Sequence, residues 1–449
     1  VKDLTQGSIT TNILAMAGPL AAGMIFQTLY LLVDLYFVSS LGKAAIAGVG
    51  AAGTLMFVVM ALTQVLGVGA VALISQAVGR KDQADANLIF NQSIALSALF
   101  TAATLIGGYA VTDFYVAAIT ADAEEHAAGI SFLYWFLPGM ALQFALITMG
   151  SALRGTGIVK PTMVVQVLTV LLNTALAPIL IAGWGTGRPL GVAGAGLASS
   201  LSVAVGVIML TAYFVRLEKY VAFHPDMWRP RLMEWRRMLA VGLPAGGEFA
   251  LIFISMAIMY WAIAAFGAAA QAGFAIGGRI MQSIFLPAMA IAFAAGPIAG
   301  QNYGAGQAQR VRDTFYKAVV LNSGVMLLVT LFLQWRPDIL VAFFTDEADV
   351  IEVGATFLRI VSLNFIAQGI VFTCSGMFQG LGDTRPALLS SAARLALFAP
   401  VVIVLAGQPG FMLAHVWEIS VLTVVLQAVL SVLLLRAQFR RRLPALVAA

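Results

Sequence analysis

The sequence predicts an all-α polytopic membrane protein: twelve transmembrane helices in two six-helix lobes related by a pseudo-two-fold axis along the membrane normal. Three observations predict it. Of 449 residues, 61% are hydrophobic and only 10% charged, a balance that no soluble domain approaches. Apolar runs of 20 or more residues recur along the whole chain between short polar breaks, which leaves no room for a soluble catalytic domain. A single offset of 225 residues then aligns the two halves over most of their length.

Taken in order, the apolar runs place helices at 12–40, 46–77, 87–111, 128–152, 161–182, 190–215, 239–264, 271–302, 314–335, 353–378, 386–406 and 410–436. The N-terminus lacks a short apolar core followed by a small-residue cleavage site, so the first span reads as retained. Lys and Arg gather in "GRKDQ" (79–83), "LRGTGIVKP" (153–161), the 216–237 stretch, "QAQRVRD" (307–313), "GDTRP" (382–386) and "RAQFRRR" (436–442). The positive-inside rule puts these loops and both termini in the cytoplasm of a cell whose inner membrane the chain crosses. The acidic segments 120–126 and 345–352 fall on the opposite side, which requires the same even number of spans.

The 225-residue offset pairs Pro19 with Pro244, "SQAVG" (75–79) with "GQNYG" (300–304), "RGTG" (154–157) with "QGLG" (379–382), and Pro161 with Pro386. Each half holds six spans, so the copies insert with one orientation. The expected lobes are 1–225 and 226–449, with 216–237 as the linker. Two such bundles suit a carrier that works by alternating access. Architecture alone does not establish function, which rests on sites.

Within "FQTLYLLVDLYFVSS" (26–40), Asp34 interrupts a membrane helix. An aspartate at a helix centre costs roughly 2.5–3.5 kcal/mol on insertion scales, so it persists where water, a partner or a cargo compensates. Gln27, Tyr30 and Asp34 stack on one face of the first helix, and Gln166, Thr169 and Asn173 form a similar stripe on the fifth. The two stripes either line a wet cavity in the N-terminal lobe or only bond across helices and hold the bundle together. Pro19 removes a backbone hydrogen bond in the helix that carries Asp34 and permits a hinge there. Glu248, one turn beyond Pro244, is a secondary candidate, with a hydrated carboxylate near the cytoplasmic helix end as the plainer reading. Arg279, Arg359, Arg394 and the pair His415 and Glu418 read as structural groups that pair or lie near an interface.

Several chemistries find no support. One cysteine, Cys374, excludes an internal disulfide, and three separated histidines lack metal-ligand spacing. "GVGAAG" (48–53) fits GxGxxG without a preceding strand or a following acid, and "GTGIVKPT" (155–162) has the wrong spacing for a phosphate loop. No cofactor or nucleic-acid partner is expected, and transport energy must come from an ion gradient. "RGTG" and "QGLGDTRP" read as tight turns in which glycine supplies positive φ and proline starts the next helix.

Together, Pro19, "VDLYFVSSLG", "SQAVGRKD", "RGTGIVKP" and the second-half copies "GQNYGAG" and "QGLGDTRP" resemble the multidrug and toxic compound extrusion (MATE) family of cation-coupled antiporters. The resemblance spans nearly the whole chain. It implies export of varied, often cationic and lipophilic drugs in exchange for H⁺ or Na⁺. By position, Asp34 is similar to the helix-1 aspartate that binds the coupling ion, and Gln27, Tyr30 and Asn173 to residues lining the same cavity. Ala177 stands where some members have a second aspartate, and Ile252 where members with a C-lobe sodium site have a glutamate. H⁺ coupling through Asp34 is therefore the preferred expectation, in a chain expected to be a monomer. The competing readings are a lipid-linked oligosaccharide flippase of the same superfamily, which would want Arg or Lys in its cleft, and a membrane-embedded enzyme, for which no catalytic set is present.

Overall fold

The computed structural model describes residues 1–120 and 122–443, apart from the side chains of Leu31, Ala51 and Thr54. Residue 121 of the acidic 120–126 segment and the C-terminal end beyond 443 lie outside the described residues. The chain forms α1 (Ile9–Ser39), α2 (Lys43–Gly79), α3 (Gln83–Ile119), α4 (Ala123–Gly155), α5 (Lys160–Ala182), α6 (Val192–Arg216) and α7 (Leu232–Ala264). It continues with α8 (Ala268–Gly304), α9 (Ala308–Trp335), α10 (Asp338–Ala342), α11 (Ala348–Val361), α12 (Phe365–Gly380), α13 (Arg385–Ala406) and α14 (Leu413–Arg442). Among the described residues twelve spans, with α11 and α12 counted as one, are long and apolar enough to cross a membrane. Helices suit such sequences because each backbone polar group is satisfied within its own segment.

The helices outrun the apolar runs that announce them. α2, α3 and α8 each have 37 residues, about 55 Å at 1.5 Å per residue against a hydrocarbon core of about 30 Å. Their ends therefore need polar anchoring. Asp82 caps α3 by accepting the Asp85 backbone N–H at 3.0 Å. At the turns before α5 and α13, Gly157 and Gly382 take φ of 81° and 73°, and Pro161 and Pro386 enter the first helical turn. The tenth span differs from its expected continuous form. A 3-10 turn at Ser362–Asn364 divides α11 from α12. α9 makes the break tolerable: Thr330 Oγ1 donates to the Ser362 carbonyl at 2.9 Å and Gln334 Nε2 to the Ser362 hydroxyl at 2.8 Å.

By contacts the chain divides into two compact units, Val1–Lys2 with Ala22–Gly242, and Asp3–Ala21 with Leu243–Ala449. Pro19 thus lies inside α1 three residues before the passage at Ala22, and Pro244 lies inside α7 just after its own passage. In the first unit Phe90 stacks on Phe214 with centroids 4.8 Å apart, and Phe223 of the segment after α6 joins them. That segment is ordered by amides on α3. Asn91 Nδ2 donates to the Ala222 carbonyl, and Asn91 Oδ1 accepts the His224 backbone N–H, both at 2.8 Å. Gln92 Nε2 donates to the Arg229 carbonyl at 2.8 Å, and its Oε1 accepts the Arg231 N–H at 2.9 Å. In the second unit the core gathers Phe274, Phe357 and Trp417. Leu4, fully buried there, is held by Gln301 and Asn302 at the end of α8.

Candidate functional site

In the first unit three helices converge on one carboxylate. α1 presents Asp34, half-buried, between its exposed flank of Leu32, Leu35 and Tyr36 and the helices behind it. From α5, Asn173 donates Nδ2 to Asp34 Oδ1 at 2.7 Å; from α6, Ser199 donates its hydroxyl to Asp34 Oδ2 at 3.1 Å. Both donors are fully buried. A carboxylate within an apolar span is tolerated when such donors replace part of its lost hydration. Tyr30, one turn before Asp34, sets its hydroxyl beside Ser199 and within the field of the carboxylate.

The local sequence explains why α5 and α6 come close. Small residues of "VAGAGLASS" at the start of α6 let backbones approach, and farther along that helix a Cβ added at Gly206 would meet Thr169 Cγ2 at 2.8 Å. Gly23 on α1 has the Gln166 side chain directly over it, leaving no space for a Cβ. Gln166 and Thr169 thus lie at the packed junctions of α5 with α1 and α6. Thr169 spends its hydroxyl on the Gln166 carbonyl at 2.8 Å. Gln27 lies two turns before Asp34 with its side chain exposed. Pro19 lies farther down α1, among residues grouped with the second unit. Ala177, one turn past Asn173, is fully buried in the core with Ile181.

The sequence reading did not identify Ser199. Its only signal is a serine pair inside a small-residue run, which packing explains equally well. Glu248 belongs to the second unit, where Ser375 of α12 donates to its Oε2 at 3.0 Å. Among the described residues no three His, Cys, Asp or Glu gather to hold a metal. Chemically, Asp34 can take up and release a proton or hold a cation. Asn173 Oδ1, buried and without a hydrogen-bond partner among the described residues, adds a second oxygen acceptor on the residue that touches the carboxylate.

Comparison with known proteins agrees with this architecture. The MatE family model matches residues 19–179 and again 244–405, so the second match starts at Pro244, the residue that the internal offset pairs with Pro19. The chain is 24% identical over 422 residues to the multidrug export protein MepA of Staphylococcus aureus, covering 93% of this chain and 92% of that one. It is 26% identical over 384 residues to the probable multidrug resistance protein NorM of Thermotoga maritima, covering 85% and 82%. The crystal structure of a MATE protein in complex with MaL6 superposes with a TM-score of 0.91 at 25% identity, over 100% of this chain and 99% of the other.

Proposed function

The chain belongs to the MatE family of transporters, and on that premise we propose that it exports cationic, lipophilic drugs of varied structure in exchange for H⁺, with Asp34 as the coupling group. The observation that carries this reading is the Asp34 carboxylate inside a membrane span, held by Asn173 and Ser199. Ionised, the carboxylate attracts a cationic cargo. Protonated from outside, it loses that attraction, and bending of α1 at Pro19 accompanies drug release outward. Each charge that moves down the membrane potential supplies about 2.3 kcal/mol per 100 mV. Gln27, Tyr30, Gln166 and Thr169 then line the cavity around Asp34. The N-terminal and C-terminal lobes act as the moving parts, in a monomer whose Arg-rich loops and termini face the cytoplasm of a bacterial cell.

A second reading, Na⁺ as the coupling ion, is favoured by Asn173 Oδ1, which is buried without a donor and joins Asp34 as an oxygen ligand. Reconstituted protein in liposomes, loaded with cationic dyes under an imposed ΔpH or ΔpNa, separates the two. Dye movement driven by ΔpH is expected. Movement driven by ΔpNa alone selects the sodium reading, and movement under neither gradient overturns cation antiport.

A further inference from the structure

The second unit carries a charge that the Asp34 mechanism leaves unused. Arg394 lies on α13 with Ser390, Phe398 and Val402 at spacings of four, and those three are at most 2% exposed, so the guanidinium projects to the interior side of the helix. Among the described residues its hydrogen bond is a single long one, 3.4 Å from Nη2 to the Ser420 hydroxyl on α14. Among the described residues no carboxylate comes within ion-pair distance of it. Glu248 of the same unit is bonded to Ser375 instead. A guanidinium has five N–H donors in a planar fork suited to a carboxylate. One hydroxyl does not compensate such a charge in an apolar span.

The neighbouring face of α14 adds two further observations. Trp417, one turn before Ser420, is 1% exposed, and its Nε1 is buried without a hydrogen-bond partner among the described residues. Ser391, one turn before Arg394, accepts from Gln427 Nε2 at 3.0 Å, so α13 and α14 hold a polar seam in an otherwise apolar contact. Arg394 itself is half-buried. At the 225-residue offset the mate of Arg394 is Thr169, on the helix that carries Asn173. One position of the repeated design therefore carries a hydroxyl near the acidic site in the first unit and a cation in the second.

We propose that Arg394, with the Trp417 indole N–H, forms an anion subsite in the C-terminal unit that takes the carboxylate of an amphoteric cargo. The subsite extends the drug-export reading, on which it rests, from cations to zwitterions.

The test uses two dyes that differ in one group: rhodamine B, a zwitterion with a free carboxylate, and its ethyl ester, a cation. Binding to the purified full-length protein is read by fluorescence polarisation. Arg394→Gln is expected to weaken rhodamine B by about tenfold or more, the scale of one charge-assisted bond, and the ester by less than about twofold; Arg394→Lys restores part of the loss. Trp417→Phe keeps the ring against Phe357 and removes only the donor, and is expected to weaken rhodamine B several-fold with the ester unchanged. Equal loss of both dyes in these variants, or loss of neither, overturns the subsite. Wild-type protein that binds the ester and not rhodamine B also overturns it while sparing the export reading. Wild-type protein that binds neither dye counts against both.

Discussion

Replacing Asp34 by Asn removes the charge and almost nothing else. The two donors to the carboxylate, Asn173 Nδ2 at 2.7 Å and the Ser199 hydroxyl at 3.1 Å, both keep a partner in the variant. The amide oxygen accepts one of them, and the new NH₂ can donate to the serine oxygen or to Asn173 Oδ1, which has no partner among the described residues. Exchanging bonds to a charged acceptor for neutral ones loses about 1 kcal/mol each, and relief of the carboxylate's desolvation offsets that loss. Folding and membrane insertion should therefore be preserved. The functional loss is larger. A cation about 4 Å from a carboxylate gains about 4 kcal/mol at an effective dielectric of 20, which corresponds to nearly a thousandfold in affinity at the upper limit. The amide also cannot exchange a proton. With one H⁺ per drug, a pH difference of one unit is worth about 1.4 kcal/mol, so wild-type liposomes should hold up to a tenfold dye gradient and Asp34→Asn liposomes none. Drug-induced proton release from solubilised protein should disappear as well. Full ΔpH-driven accumulation by well-expressed Asp34→Asn protein would refute the coupling role, and reduced yield with intact coupling would make the aspartate structural.

Glu248→Gln should impair transport less than Asp34→Asn in the same liposome assay, because its described partner is one hydroxyl and its position matches no family acid; the reverse ranking moves coupling to the second unit. Gln92→Leu strands the carbonyls of Met227 and Arg229 and the N–H of Arg231. At about 1–3 kcal/mol for each buried group left unmade, softened by water at the segment's exposed side, it should lower the melting temperature and speed proteolysis within 217–231; unchanged cleavage there would show that the amide does not order the segment. Cys374 is fully buried, so a membrane-impermeant maleimide should report only introduced thiols. Gln309→Cys should label from the cytoplasmic side and Asp346→Cys from the outer side, and labelling of both from one side would break the assigned topology.

The spans were legible because apolar length is a one-dimensional property that the bilayer reads directly. Their ends were not, since helices continue past the hydrocarbon wherever a cap is at hand. The third helix was expected to stop at 111 and runs to Ile119. The break in the tenth span was hidden for a related reason: the groups that satisfy it, Thr330 and Gln334, belong to another helix. At the candidate site, Asp34 and Asn173 stood out as polar groups against apolar neighbours. Ser199 did not, because a serine among Gly and Ala carries no cost that demands an explanation. Gln27 shared the helical phase of Asp34, yet phase alone does not supply a partner, and its side chain is exposed.

The same limit governs the remaining charges in the spans, which sequence alone treats alike. A helix end can absorb an ionisable group cheaply, because the last turn offers unpaired carbonyls and the first offers unpaired N–H groups. His415 is such a case: its Nδ1 accepts the Met412 backbone N–H at 3.1 Å at the start of α14. Arg359 lies in the last turn of α11. Arg394 has no such end to serve, since it falls nine residues into a 22-residue helix, on the stripe with buried Phe398 and Val402. A mid-span cation costs about as much as the mid-span aspartate, so it demands the same kind of compensation. Asp34 has two donors within the protein, whereas Arg394 has one hydroxyl, and the difference between them is what a cargo's carboxylate would supply.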